Sequence, residues 1–487
     1  MHVVHIASEA TPYARTGGLG DMVASLARDL ASRGHRIDVY LPHYRPVQEF
    51  ETVVDGEPYS VRVGTETCPV RTRRIEAGKD EPEFRFIEHV TFEREGIYGP
   101  SHGSYPDNAA RFTLFQRAVL ADLARRGVTP DLLHAHDWQA ALVPIFAKKS
   151  EPRRPTLLTI HNLAHQGRFG SSELALTGLG EDHFHPGDLE FHGDMNWLKG
   201  GIVNADRIST VSPTYAGEIQ SEEFGCGLEG VLQHRSAALS GIVNGIDTTI
   251  WNPADDPLIP HAFTAADLSG KAACKRALQE RVGLAVNDDA ALFGVVARLA
   301  SQKGIDLLLE STGEWLAHGP AQMVVLGVGD PNLERSLSGL AAHAPDRVAA
   351  LLRFDDELAH WIEAGSDFFL MPSRYEPCGL NQLYSQRYGT LPIVRNTGGL
   401  VDTVIPINWP TPGSPDTATG FAFGDLTTGA LAGTIREALR IYEHERETFD
   451  QMRQNAMAQD FSWSRSADRY EELYTDAIER FRSEGVA

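Results

Sequence analysis

Along most of the chain, short apolar runs alternate with longer stretches whose apolar positions recur every three or four residues. The runs Val3–Ala7, Ile37–Leu41, Thr156–Ile160, Ile208–Val211, Phe293–Ala297, Met323–Leu326, Val348–Arg353, Phe368–Met371 and Leu391–Val394 read as buried strands. Between them lie helical patterns. Val23, Leu26, Ala27, Leu30 and Ala31 share one face before Gly34 ends that helix. Phe112, Phe115 and Val119 mark a helix over 105–120, and further helices are expected near Lys199, over 271–281 and over 461–481. Residues 51–100 read as strands and hairpins with an exposed charged stretch. Strand–helix alternation of this kind predicts an α/β protein with parallel sheets.

The chain has 487 residues, more than one ordinary core holds. Two Rossmann-like, doubly wound parallel-sheet domains facing a cleft are the expected architecture. The turn Asn244-Gly245 and the Pro-rich acidic segment after Asn252 interrupt the alternation, which then restarts. The expected division is 1–247 joined by the last helix (464–487), a linker at 248–260, and 261–463.

In parallel α/β sheets, ligands meet the chain at the carboxyl ends of strands. The Gly-rich turn Gly17-Gly18-Leu19-Gly20 opens a helix after the first strand, with Arg15 just upstream. The sextet Thr16–Asp21 matches Thr397–Asp402 at five of six positions. Such turns suit phosphate, since helix N-termini present N–H groups. Arg298 and Lys303 follow a strand; they fit an anionic ligand or a free surface pair equally well. Phe354 at a strand end is a candidate stacking face for a base, or a core residue. Glu376 stands between a strand and the helical pattern Leu380, Leu383, Tyr384, Arg387. It is either a helix cap or a ligand carboxylate, with Pro377 expected at the first helical position and Gly379 allowing close backbone approach. His161-Asn162 closes another strand. His134 and His136 share a strand face before Asp137 and Trp138, where loop anchoring outweighs a metal site. His183, His185 and His192 read as solvated loop residues.

Composition narrows the partners. A formal net charge of −22 disfavours nucleic acid and anionic membrane surfaces. Four scattered cysteines without C-x-x-C spacing fit neither zinc nor a disulfide framework. No apolar run approaches the roughly 18 residues of a membrane span, and no basic leader precedes the first strand. A soluble cytoplasmic protein is expected.

The stretch Glu376-Pro377-Cys378-Gly379-Leu380-Asn381-Gln382 followed by Thr397-Gly398-Gly399-Leu400 closely resembles the C-terminal signature of bacterial glycogen synthases and plant starch synthases. Gly96-Ile97-Tyr98-Gly99, Asp107-Asn108-x-x-Arg111-Phe112 and His134-Ala135-His136-Asp137-Trp138 extend the resemblance over nearly the whole chain. It implies the GT-B type of fold. It also implies transfer of glucose from ADP-glucose to the non-reducing end of an α-1,4-glucan with retention of configuration. By the same resemblance Glu376, His161, Arg298 and Lys303 are catalytic. Arg298 and Lys303 neutralise the departing diphosphate. Arg15, Gly17, Gly18, Asn162, Asn244, Phe354, Cys378, Gly379, Leu380, Thr397, Gly398 and Gly399 bind the donor. Tyr98, Asp137 and Trp138 meet the acceptor. No Asp-x-Asp pair is available to hold a metal on the diphosphate, so neither metal nor cofactor is expected.

The chain departs from the family pattern at three places. Arg15 stands for the usual Lys, Asn381 for a frequent Thr, and Phe354 for a common Tyr. Competing readings are a retaining transferase of the same fold using UDP-glucose or another acceptor, and a silent glucan-binding paralogue. A Rossmann dehydrogenase lacks its G-x-G-x-x-G at the first turn.

Overall fold

The computed structural model describes residues 1–100, 103–316, 319–410 and 412–483. The chain divides into two units, Met1–Gly245 with Trp463–Ala487, and Ile246–Ser462.

The first unit is built on a sheet whose parallel part comprises β1 (His2–Ile6), β2 (Arg36–Pro42), β6 (Glu83–Glu88), β7 (Leu132–His136), β8 (Thr156–Ile160), β12 (Arg207–Thr210) and β13 (Leu239–Gly241). The hairpin strands β3 (Val53–Val54), β4 (Tyr59–Val63) and β5 (Glu66–Arg74) extend one side antiparallel, and β9 (Arg168–Gly170), β10 (Glu190–Phe191) and β11 (Asp194–Asn196) form a small separate sheet. The order β13-β12-β8-β7-β1-β2-β6-β5-β3 leaves β1 with its successor β2 on one side and β7 on the other. The chain therefore reverses its direction of travel between β1 and β7. That is a topological switch point, where strand ends splay and leave a crevice. The helix Gly18–Ser32 buries Leu19, Met22, Val23, Leu26 and Leu30 against this sheet. The last helix, Trp463–Ser483, adds Ala467, Tyr470, Tyr474 and Ile478 to the same core.

The second unit has six parallel strands, β14 (Leu292–Val296), β15 (Gln322–Leu326), β16 (Val348–Leu351), β17 (Phe368–Met371), β18 (Leu391–Arg395) and β19 (Phe421–Phe423), in the order β16-β15-β14-β17-β18-β19. Its switch point lies between β14 and β17. The paired strands bury near-continuous apolar runs, as sheets covered on both faces do.

Several expectations need adjustment. The helix expected over 105–120 is Asn108–Arg125. The helix expected to open at Lys199 begins at Trp197, because the Asn196 side chain accepts from the Lys199 N–H at 3.0 Å and caps it. Pro377 does not start a helix. Gly379 takes φ +73°, which breaks the chain path, and the helix runs Asn381–Arg387 before Gly389 at φ +64°. The segment 248–260 is folded into the second unit. Trp251 stacks between His360 and Tyr384 at 3.8 and 3.7 Å, and buried Asp256 accepts from His360 Nδ1 (2.7 Å) and Tyr388 Oη (2.6 Å). Of the histidine-rich loop, His185 and His192 are exposed, but His183 is half-buried and bonds Asp188 at 2.6 Å.

Candidate active site

At the switch point of the second unit, the loops after β14 and β17 meet. Lys303 Nζ lies 2.6 Å from Glu376 Oε2, and Ser373 Oγ donates to the same oxygen at 2.9 Å. Glu376 is only 4% exposed, so its carboxylate is a buried acceptor held by a cation and a hydroxyl. It caps no helix: the turn at Leu380 has no side-chain cap. Arg298 is exposed and forms no ion pair among the described residues. Of two cations after one strand, one lies against the carboxylate and one faces solvent. Phe354, in the loop after β16, is 76% exposed; this overturns the core reading and leaves a bare ring.

The turn Thr397–Gly399 packs on the Glu-Pro-Cys-Gly turn. Gly399 N donates to Glu376 O at 3.0 Å, and Thr397 N donates to Arg395 O at 2.9 Å. A Cβ on Gly399 would lie 2.2 Å from Cys378 O, and Gly398 sits at φ +49°. Both glycines are steric requirements. Gln382 Nε2 ties Cys378 O and Gly379 O at 3.0 and 3.1 Å, so Cys378, Gly379 and Leu380 hold a fixed turn. Asn381 donates to Val296 O at the end of β14 (2.5 Å) and ties the start of the helix Asn381–Arg387 to that strand end.

At the switch point of the first unit, the loop after β1 carries Arg15, Gly17 and Gly18, and the loop after β7 carries Asp137 and Trp138. The Gly-rich turn is held by a residue that sequence reasoning missed. Glu9, 3% exposed, accepts from Thr16 N at 2.5 Å, Thr16 Oγ1 at 2.7 Å and Gly17 N at 3.3 Å, and from the Tyr98 hydroxyl. Burial pushes the Glu9 carboxyl up, against the pull of these donors. Burial and the neighbouring Glu9 carboxylate drive the Tyr98 phenol well above its usual range, so it stays a donor. The only available signal for Glu9 was its position, a carboxylate just beyond the first strand. Arg15 Nη2 lies 3.3 Å from Asp21 Oδ2.

Asp137 adopts φ +53°, a left-handed conformation worth roughly 1–3 kcal/mol of strain, of the kind held at functional sites. Its Oδ1 accepts from His161 N at 2.7 Å, and Asn162 N also donates to it. Burial raises its carboxyl to about 7, although both N–H groups oppose the shift. It therefore fixes the backbone that carries His161 and Asn162. Trp138 is half-buried against Phe112, Phe169 and Trp197. Asn244 is buried, and its Oδ1 has no hydrogen-bond partner among the described residues.

The structure thus gathers the expected residues in two sets. Arg15, Gly17, Gly18, Tyr98, Asp137, Trp138, His161, Asn162 and Asn244 belong to the first unit. Arg298, Lys303, Phe354, Glu376, Cys378, Gly379, Leu380, Thr397, Gly398 and Gly399 belong to the second. Two Rossmann-like units, each with polar groups where its sheet changes direction, fit the GT-B type of fold.

Family models agree and go further. Residues 2–234 match the starch synthase catalytic domain, and residues 278–458 match glycosyl transferases group 1. A glycogen synthase of Opitutus terrae is 42% identical over 98% of this chain and 100% of its own length. One of Anaeromyxobacter sp. (strain Fw109-5) is 44% identical over 97% of this chain and 99% of its own. The catalytic domain of starch synthase IV from Arabidopsis thaliana, solved with ADP and acarbose, superposes with a TM-score of 0.91 at 35% identity, covering 98% of this chain and 99% of that one. A sucrose-phosphate synthase from Thermosynechococcus elongatus, at 19% identity and a TM-score of 0.64, shares the fold. The chain belongs to the glycogen synthase and starch synthase family. It is a retaining glycosyltransferase that moves the sugar of a nucleotide-sugar donor onto a glucan acceptor and releases the nucleoside diphosphate. Among the described residues, no helix is long and apolar enough to cross a membrane.

Proposed function

We propose that the donor is ADP-glucose, that the acceptor is the non-reducing 4-hydroxyl of an α-1,4-glucan, and that transfer proceeds in the cytoplasm without a metal ion. The observation that carries this reading is the Lys303–Glu376 pair, 2.6 Å apart at a switch point, with exposed Arg298 on the same loop. Breaking the bond between glucose C1 and the diphosphate oxygen leaves positive charge on the sugar and negative charge on the leaving group. Arg298 and Lys303 oppose the negative charge; removing one such group costs about 10²–10³ in rate. The acceptor oxygen bonds C1 on the face the diphosphate leaves, and its proton passes to a departing phosphate oxygen. Glu376, His161, Asn162 and Asn244 hold the glucose, and the exposed ring of Phe354 stacks on the adenine. Gly17, Gly18 and the Thr397–Gly399 turn line the diphosphate beside Arg15, and Tyr98, Asp137 and Trp138 serve the glucan. The ADP and acarbose held by the Arabidopsis starch synthase support an adenine nucleotide and a glucan-like acceptor.

The test is glucose transfer into glycogen from ADP-glucose and UDP-glucose side by side, in chelator. Transfer that prefers ADP-glucose is expected. Transfer from UDP-glucose alone would replace the donor, and transfer only after metal is restored would remove the metal-free step.

A further inference from the structure

Behind His161 runs an unbroken line of polar side chains through the apolar core of the first unit. The parallel register sets His5 beside His134 and Thr159 beside both His136 and Ser209. His161 Nε2 lies 3.1 Å from His136 Nδ1, and His136 Nε2 lies 3.0 Å from His5 Nδ1. His5 Nε2 faces Tyr474 Oη at 3.5 Å, and Tyr474 Oη lies 2.9 Å from His134 Nδ1. His134 Nε2 meets Thr159 Oγ1 at 2.6 Å, which meets Ser209 Oγ at 2.6 Å. His5, His134, His136, Thr159, Ser209 and Tyr474 have no exposure at all.

Burial keeps all four imidazoles neutral. His5 and His161 are lowered to about 3, and His134 and His136 fall well below the usual range. A neutral imidazole has one N–H and one bare nitrogen. Each close nitrogen–nitrogen contact holds a single proton, so the donor–acceptor order of one link dictates the next. The order is fixed at the buried end. The Ser209 hydroxyl has Thr159 as its partner among the described residues. If Ser209 only accepted, its own proton would be buried without an acceptor, at a cost a spare lone pair does not incur. Ser209 therefore donates to Thr159, Thr159 to His134 Nε2, and His134 Nδ1–H to Tyr474. Tyr474 donates to His5 Nε2, His5 Nδ1–H to His136 Nε2, and His136 Nδ1–H to His161 Nε2.

We propose that Ser209, Thr159, His134, Tyr474, His5 and His136 are positioning residues that hold His161 in its Nδ1–H tautomer, so that it presents a hydrogen-bond donor to a hydroxyl of the donor glucose. The last clause rests on His161 meeting that sugar; the tautomer does not. No net proton moves through the chain. The ring nitrogens of His5, His134 and His136 lie within 4.8 Å of one another and could also hold a metal ion. A metal would need those nitrogens bare and would abolish the shared protons, so the two occupancies exclude each other.

Imidazole nitrogen NMR on the full chain without substrate reads the tautomer directly. Nδ1–H at His161 is expected in the wild type. Ser209→Ala, which removes the group that sets the order and little volume, is expected to give a mixture of tautomers. His5→Phe keeps the ring volume but cuts the link, and is expected to lower kcat about tenfold, the equivalent of one hydrogen bond to the sugar, with unchanged ADP affinity. His5→Asn, whose amide can still donate to His136 Nε2, is expected to recover most of that loss. Nε2–H at His161 in the wild type, an unshifted tautomer in Ser209→Ala, or a stoichiometric bound metal would overturn the relay. The expected tautomer shifts with unchanged kcat would instead remove His161 from the sugar and leave the tautomer order standing.

Discussion

The two sextets that match at five positions, Thr16–Asp21 and Thr397–Asp402, are wired differently in the two units. In the first, a buried side-chain carboxylate, Glu9, gathers the turn's N–H groups, and a Cβ on Gly17 would touch nothing within 4 Å. In the second, the N–H groups of Thr397 and Gly399 donate to backbone carbonyls, and Gly399 has no room for a Cβ. The switch points around them differ in the same sense. That of the second unit is crossed by an ion pair, Lys303–Glu376, with Arg298 exposed beside it. That of the first is crossed by neutral imidazoles, His5 to His136. A shared motif marks a shared place in the fold, and its neighbours decide the chemistry. Lys303 and Arg298 offer cations to a leaving diphosphate, while the neutral, hydrogen-bonded imidazoles behind His161 suit an uncharged sugar.

The sharpest way to break this comparison is Glu376→Ala. Turnover is expected to fall by about 10²–10³ or more while circular dichroism shows an intact fold. Near-normal turnover would reduce Glu376 to a partner for Lys303. Next in size is the contrast between the glycines. Gly399→Ala is expected to cost roughly 1–3 kcal/mol in urea unfolding, since backbone rather than a flexible side chain blocks the new methyl. Gly17→Ala, at φ −168°, is expected to stay within about 0.5 kcal/mol. Equal costs would mean that the turns are held alike.

A further contrast is one of pH. His5, His134, His136 and His161 are neutral in the fold but take up protons when unfolded, with His5 and His161 titrating at about 3 in the fold. The unfolded chain therefore binds more protons between about pH 6.5 and 3, and stability falls as pH falls through that window. Asp137 works in the opposite direction, since its carboxyl is raised to about 7 and protonates more readily in the fold. His5→Phe is expected to flatten the stability slope by one proton, about 1.4 kcal/mol per pH unit. An unchanged slope would show that His5 is charged in the fold.

Much of this was legible in the sequence, for identifiable reasons. Phe368–Met371 and Thr156–Ile160 are strands bounded as their apolar runs suggest, because a sheet covered on both faces needs such runs. Strand ends located His161, Arg298 and Glu376. What sequence could not give was register. His134 and His136 were seen to share a face, but His5 joins them only because β1 pairs with β7 residue for residue. Glu9 and Ser373 escaped notice because a carboxylate or hydroxyl in a loop shows no period, and its partners depend on how the loop folds back. Phe354 resembled a core residue because an aromatic beside an apolar strand looks the same whether it turns inward or outward.

The most direct measurement of the contrast between the switch points is calorimetric titration with ADP of Lys303→Ala and His161→Ala, each also assayed for glucose transfer. Lys303→Ala is expected to weaken ADP about tenfold or more, the loss of a charged contact worth 1.5–3 kcal/mol. His161→Ala is expected to keep ADP affinity within about twofold and still to lose transfer, because ADP carries no glucose. Equal weakening by both variants, or none by Lys303→Ala, would contradict the assignment of Lys303 to the diphosphate and of His161 to the sugar.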